Sequence, residues 1–86
     1  MEKKNGKGKK YYINGKLKFE GEYFNEKKNG KGKEFNYDNK LIFEGGYFNE
    51  KRWNGKGYDV NYNIKFEIKN GKKNIWFDYY NILKIN

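Results

Sequence analysis

Apolar and polar residues alternate one by one along much of the chain, most clearly between residues 58 and 69. In that segment the odd-numbered positions carry only Asp, Asn, Lys or Glu. A period of two residues is typical of a β-strand with one face buried and the other in water. The pattern therefore predicts half-buried antiparallel strands. The apolar positions of the segment are Tyr58, Val60, Tyr62, Ile64, Phe66 and Ile68. The same alternation in the preceding part of the chain predicts Ile13 and Tyr37 on the buried face and Glu34 on the polar side.

The alternation belongs to a longer unit that is repeated along the sequence. Residues 5–28 and 29–53 match position by position up to a single inserted residue, Trp53, and a shorter third copy covers residues 54–73. Residues 74–86 read as a degenerate closing unit, because terminal repeats are usually atypical. We therefore expect one repeat domain over residues 1–86. The aromatic residues expected to cap its end are Trp76, Phe77 and Tyr79.

Short polar pairs separate the predicted strands, at Asn14–Gly15, Asp38–Asn39 and Asn70–Gly71. Asn, Asp and Gly tolerate the positive φ angles that tight turns need. A strict two-residue turn at Asn14–Gly15 conflicts with the alternation, because it would place Ile13 and Leu17 on opposite faces. We therefore expect a three-residue loop or a bulge there. The glycine-rich NGKG segments are interpreted as links between successive hairpins.

Two glycines stand inside the apolar face of a predicted strand, where glycine normally weakens a sheet. Gly21 lies between Phe19 and Tyr23, and Gly45 occupies the same place in the second copy. We expect an aromatic ring from the neighbouring hairpin to lie over the bare backbone at each position. A bulky substitution at Gly45 should therefore disrupt packing more than one at Gly46. The predicted structural glycines are Gly6, Gly8, Gly21, Gly30, Gly32, Gly45, Gly55 and Gly57.

The repeat resembles the MORN (membrane occupation and recognition nexus) repeat, and its sequence is especially similar to that of the MORN-variant subfamily. The resemblance is carried by FEGEY at residues 19–23 leading to NGKG at 29–32, and by FEGGY at 43–47 leading to NGKG at 54–57. A half unit, NGKG at residues 5–8, precedes them. The resemblance implies an all-β fold, an elongated single-layer antiparallel stack of β-hairpins.

The resemblance extends from residue 5 to about residue 73, although the third copy carries Ile68 or Phe66 where the family has glycine. It implies a scaffold or interaction module that contacts a protein partner or a second copy of itself. The alternative, which rests on the net charge of +9 and on the aromatic residues between the lysines, is an anion-binding surface for acidic phospholipid, with single-stranded nucleic acid ranked below lipid. Bacterial variant members are sometimes described as antitoxin components, which is a further alternative.

The chain lacks residue types on which most enzymes depend. It contains no Cys, His, Ser or Thr, so hydroxyl and thiol nucleophiles, a base near neutrality and soft metal ligands are missing. Glu20 and Glu22 share a strand face, but Gly46 replaces the second carboxylate in the next copy, and lysines across the strands offer ordinary ion pairs. NGKGK lacks the spacing of a phosphate-binding loop. We therefore expect no catalytic residue, no metal and no cofactor.

The formal net charge of +9 predicts attraction to anionic surfaces. If the hairpins stack in register, the lysine clusters form one basic stripe along a long edge. Lysine also protects sheet edges from aggregation, so both interpretations stay open. Four aromatic residues stand beside the lysines: Tyr12, Phe24, Phe48 and the apparent insertion Trp53. The predicted contact residues are Lys27, Lys28, Lys31, Lys33, Lys51, Arg52, Trp53 and Lys56.

Two further features of the sequence bear on its location. No apolar run approaches the length of a membrane-spanning helix. The basic N-terminus is not followed by the apolar segment of a signal peptide. We therefore expect a cytoplasmic protein that binds membranes peripherally if it binds them at all.

Overall fold

The computed structural model describes residues 5–74, which form seven β-strands in one open sheet. Each strand pairs antiparallel with the next one along the chain. No helix occurs in residues 5–74, and their strands form a single layer. The predicted all-β, single-layer stack of hairpins is therefore confirmed. The strands are β1 Gly6–Tyr11, β2 Leu17–Phe24, β3 Lys27–Phe35, β4 Leu41–Phe48, β5 Lys51–Tyr58, β6 Ile64–Lys69 and β7 Lys72–Lys73.

Three two-residue turns, at Asn25–Glu26, Asn49–Glu50 and Asn70–Gly71, lie along one long edge, which we call the turn edge. Both residues of each turn have positive φ, as a type I′ turn requires. The prediction of a turn at Asn70–Gly71 is confirmed. The interpretation of NGKG as a link is wrong, because residues 29–32 lie inside β3 and residues 54–57 inside β5.

Three longer loops lie along the opposite edge, which we call the loop edge. In the first loop the Tyr12 N–H donates to the Lys16 carbonyl at 2.8 Å and encloses residues 13–15. The register shifts between Lys10 and Tyr11. The expected three-residue loop and a bulge are therefore both present.

The loops also contain residues that the alternation assigned to buried strand faces. The side chains of Ile13, Tyr37, Val60 and Tyr62 are 100%, 49%, 62% and 54% exposed. Their assignment to the buried face is wrong, because the chain leaves the sheet at these positions to form the loops. In the third copy, the strand begins only at Ile64.

A column of glycines crosses five strands at right angles to their direction. Cα partners join Gly8 to Gly21, Gly21 to Gly32, Gly32 to Gly45, and Gly45 to Gly55. The backbones approach so closely that a Cβ placed on Gly21 would lie 2.7 Å from the Cα of Gly32. Since real Cβ atoms do not tolerate such a distance, the column requires glycine.

The surroundings of these glycines differ from the prediction in one respect. A ring does lie against Gly21, but it belongs to Phe19 of the same strand, at 2.7 Å from a Cβ placed there. At Gly45 the expected ring is not among the nearest atoms, which are the backbone of Asn54 and Gly55. Gly45 is therefore required by the close approach of β5 rather than by a stacked ring.

The third copy joins the column in a shifted register. The sequence alignment matches Gly57 with Gly32, but in the sheet Gly55 is the residue that continues the column. Gly57 instead lies opposite Phe43 and Phe66, and the Phe66 ring covers it. Trp53 makes β5 one residue longer than β3 between the turn and the NGKG segment, yet the column residue of β5 lies one residue nearer its turn, at Gly55 instead of Gly57.

The core consists of four aromatic side chains on one face of the sheet, which we call the aromatic face. Phe19, Tyr23, Phe43 and Tyr47 are between 0% and 4% exposed. Successive rings meet edge to face, with centroids 5.1 to 5.7 Å apart, an arrangement that the ring quadrupoles favour. Phe66 extends this row toward β6.

Candidate binding surfaces

A carboxylate lies among the rings of the aromatic face. Glu34 Oε1 accepts hydrogen bonds from the Tyr47 hydroxyl at 2.6 Å and from Arg52 Nε at 3.0 Å, and its Oε2 accepts one from an Arg52 terminal nitrogen at 2.6 Å. Burial opposes ionisation of this group, but the bonds from Arg52 and Tyr47 outweigh it and lower the pKa of Glu34. Burial and the bond to Glu34 raise the pKa of Tyr47. Glu34 and Arg52 therefore form a partly buried, two-pronged ion pair.

Each hairpin also places a cation over a phenylalanine ring of the same face. The pairs are Lys28 over Phe19 at 4.4 Å, Arg52 over Phe43 at 4.7 Å, and Lys73 over Phe66 at 4.7 Å from the ring centroid. Burial lowers the pKa of Lys28. The aliphatic stems cover the rings while the charges interact with them. The predicted contact residues Lys28 and Arg52 therefore have a packing role on the aromatic face.

The opposite side of the sheet, which we call the charged face, carries a row of alternating charges. Cα partners connect lysine to glutamate across six consecutive strands. In one of these pairs Lys33 Nζ lies 3.4 Å from Glu44 Oε2, with both side chains almost half exposed. The predicted ion pairs between strands are confirmed by this contact. We call the row the charge ladder: Lys9, Glu20, Lys33, Glu44, Lys56 and Glu67.

An open trough of about 1330 Å³ lies on the charged face over β1 to β4. Its floor is the backbone of the glycine column. One wall is the charge ladder, and the other contains Lys7, Glu22, Lys31 and Gly46. The trough therefore presents both signs of charge above a floor without side chains. The predicted contact residues Lys31 and Lys33 belong to its walls.

The turn edge carries exposed aromatic side chains beside lysines. Phe24 is 67% exposed and Phe48 is 54% exposed. Their Cα partners on the next strands are Lys27 and Lys51, respectively. Since neighbouring strands lie about 4.8 Å apart, aromatic and cationic side chains alternate at that interval along this edge. Here the sequence prediction of exposed aromatic residues beside lysines is confirmed.

The two other aromatic residues of that prediction pack against neighbouring elements. The Trp53 ring lies 5.4 Å from that of Phe48, and its carbonyl accepts the Gly71 N–H at 2.9 Å. The Tyr12 hydroxyl donates to the Phe35 carbonyl at 2.8 Å, across two hairpins. Both side chains are only partly exposed. Their larger contribution is to hold successive hairpins together.

The predicted cations thus do not form one stripe. Alternation within each strand sends them to opposite faces, and the one-residue bulge at Trp53 reverses the parity between Arg52 and Lys56 in β5. The aromatic face carries Lys28 and Arg52, the charged face carries Lys31, Lys33 and Lys56, and the turn edge carries Lys27 and Lys51.

The sequence interpretation missed the role of Glu34, which it assigned to the polar side. The register shift between Glu34 and Phe35 leaves Glu34 on the aromatic face, opposite Phe19 and Phe43. A signal was present, since Arg52 is the sole arginine of a chain that otherwise uses lysine. Arginine is favoured over lysine where a planar fork must bind a carboxylate.

Comparisons with known proteins do not indicate a function, so a function has to be argued from these surfaces. No protein-family model matches the chain, and neither a curated protein nor a solved structure does. In the described part of the chain there is no helix with the length and apolar character needed to cross a bilayer.

Proposed function

We propose that this chain is a non-enzymatic, MORN-type interaction module that binds a protein partner through the trough on its charged face. The observation that carries the proposal is the trough, which spans four strands and is walled by lysines and glutamates. Its glycine floor leaves only the two walls to limit the approach of a partner. An antitoxin would be one example of such a module.

The charge ladder favours a protein over a polyanion in this trough. A ligand with uniform negative charge would meet Glu20 and Glu44 at every second strand of the ladder. A polypeptide can instead present both signs of charge in turn. Such complementarity contributes mainly to specificity and to the choice of partner.

The test is site-specific photocrosslinking from the trough wall. A benzophenone amino acid would replace Lys31, whose Cα partner Gly46 offers no ion pair to lose. The matched control carries the same group at Lys16, an exposed residue of the loop edge. We expect a discrete crosslinked partner from position 31 and none from position 16. Equal products from both positions, or none from either, would contradict the proposal.

A second candidate is an anionic membrane surface at the turn edge. It is favoured by the exposed rings of Phe24 and Phe48, each opposite a lysine. Aromatic rings are suited to the interfacial region of a bilayer, and the lysines would supply a salt-sensitive attraction to acidic head groups. This candidate uses a different surface from the trough.

Sedimentation with vesicles distinguishes this candidate from simple charge attraction. Vesicles of phosphatidylcholine with and without phosphatidylserine would be compared with a single-stranded oligonucleotide over a range of salt concentrations. Replacing both Phe24 and Phe48 by Ser should weaken binding to the anionic vesicles. A control, Tyr62→Ser on the loop edge, should leave it unchanged. Equal binding to vesicles and oligonucleotide would indicate charge alone.

A further inference from the structure

β1 and β3 are structural copies of each other. They carry the same sequence GKGK, at residues 6–9 and 30–33. β1 pairs with β2 in the register in which β3 pairs with β4, including a shift near the end of each strand. What binds to one of these strands is therefore a guide to what fits the other.

The two copies differ in how many of their edges are occupied. β3 is paired on both sides, with β2 and with β4. Within residues 5–74, β1 is paired on one side only. The outer edge of β1 corresponds to the edge of β3 that β2 occupies. The pairing of β2 with β3 therefore shows how a strand binds to this edge, and within residues 5–74 the same edge of β1 has no paired strand.

The filled example shows what this edge requires of an incoming strand. Across β2 and β3, Glu20 lies opposite Lys33, and Gly21 lies opposite Gly32. The next carboxylate, Glu22, accepts the Lys31 N–H at 2.6 Å. The glycine is obligatory because a Cβ on it would meet backbone atoms at 2.6 to 2.7 Å.

We propose that the outer edge of β1 binds an extended segment of an acidic protein partner with the pattern aromatic–Glu–Gly–Glu–aromatic. The segment adds to the sheet as an antiparallel strand. Its first glutamate lies opposite Lys9, its glycine lies opposite Gly8, and its second glutamate accepts the Lys7 N–H. Addition of a strand at an open sheet edge is a recurring mode of peptide recognition. The inference rests on the proposed function because it requires a protein partner.

The charge of β1 supports an acidic occupant rather than a second β1 strand. β1 carries Lys10 where β3 carries Glu34, so the open edge is more basic than its filled copy. Two β1 strands paired with each other would bring lysines together, which is destabilising. An acidic segment instead satisfies these cations and supplies the glycine that the column needs.

The probe is a synthetic peptide with the sequence of residues 16–25, KLKFEGEYFN, blocked at both ends and labelled with fluorescein. Its binding to the intact protein would be measured by fluorescence anisotropy. One control peptide carries valine at the glycine position, and another carries lysine at both glutamate positions. Because the protein itself is unchanged, folding defects cannot affect the comparison.

We expect the native peptide to bind and each control to bind at least about tenfold more weakly, since the valine would clash with the β1 backbone and the lysines would face the lysines of β1. Hydrogen exchange should slow at residues 6–11 and stay unchanged at residues 64–69. Equal affinity for the valine peptide, absence of binding, or protection away from β1 would overturn the inference. Peptide binding at β1 without crosslinking in the trough would overturn only the proposed function. The reverse result would overturn only this inference.

Discussion

The two faces of this sheet use charge in opposite ways. On the aromatic face, cations lie over buried rings, and the carboxylate of Glu34 joins them and is held by three hydrogen bonds. On the charged face, lysine and glutamate alternate in exposed positions, and Lys33 and Glu44 approach to 3.4 Å with both side chains nearly half exposed. The first arrangement closes a core in a single-layer sheet. The second leaves exposed charges that can form ion pairs with a partner.

The largest expected effect comes from removing a ring of the aromatic face. Phe43 is fully buried between the rings of Tyr47 and Phe66. Phe43→Ala should lower the free energy of unfolding by about 3–5 kcal/mol, as for other large-to-small core changes. Urea denaturation followed by circular dichroism measures the change. The control Phe24→Ala, at a 67% exposed ring, should cost less than about 0.5 kcal/mol. Similar losses for both variants would mean that the core is not where the structure places it.

A second contrast concerns adjacent glycines that belong to different faces. A Cβ at Gly45 would meet the backbone of Asn54 and Gly55, whereas a Cβ at Gly46 would have its nearest neighbour at an ordinary 3.7 Å. Gly45→Val should therefore cost at least about 1–3 kcal/mol by forcing β4 and β5 apart. Gly46→Val, on the charged face, should be nearly neutral. Thermal unfolding of the two variants provides the comparison, and equal losses would argue against the close approach at the column.

The ion pair between Glu34 and Arg52 on the aromatic face should make the free energy of unfolding depend on pH. Because the pKa of Glu34 is lowered in the folded protein, its contribution is present above the pKa of the unfolded carboxyl group and is lost as the pH falls through the folded value. Glu34→Gln should lower stability at neutral pH by about 1–3 kcal/mol, since it leaves the partly buried Arg52 without its counter-charge. The difference between variant and native protein should shrink as the solution is acidified. A difference that is constant with pH would show that Glu34 acts through packing alone.

The same contrast explains what the sequence revealed about the fold. The repeat and its period of two predict the strands, and the single-layer stack is predicted from the repeated sequence motif. The turns are harder to predict, because Glu26 and Glu50 adopt positive φ, a conformation for which glutamate has no intrinsic preference. At Glu50 the tertiary contacts are visible: its carboxylate accepts the Lys28 N–H at 2.9 Å, and its own N–H donates to the Lys28 carbonyl. No local pattern encodes such a contact.

The candidate surfaces were predictable only in part, because a one-residue bulge reverses the face on which later residues lie. Strict alternation places Glu34 among the polar residues, but the register shift brings it among the rings. The exposed Phe24 and Phe48 lie at the ends of β2 and β4, whose own alternation is continuous from Phe19 and from Phe43, and there the sequence prediction is confirmed. Residue type thus indicated which side chains can form ion pairs and ring contacts. The strand register, which depends on the packing of whole strands, determines which of these side chains lie next to each other.

The smallest expected effect lies on the charged face, and it completes the contrast. Glu44 pairs with Lys33 at 3.4 Å in an exposed position, where ion pairs contribute about 0–1 kcal/mol. Glu44→Gln should therefore change the free energy of unfolding by less than about 1 kcal/mol, and added salt should remove most of the difference. Chemical denaturation at low and high salt measures both effects. A loss as large as that of Glu34→Gln would mean that the charge ladder stabilises the sheet, leaving fewer of its charges free for a partner. A small loss, combined with weakened crosslinking from the trough, would assign the ladder to recognition and the aromatic face to folding.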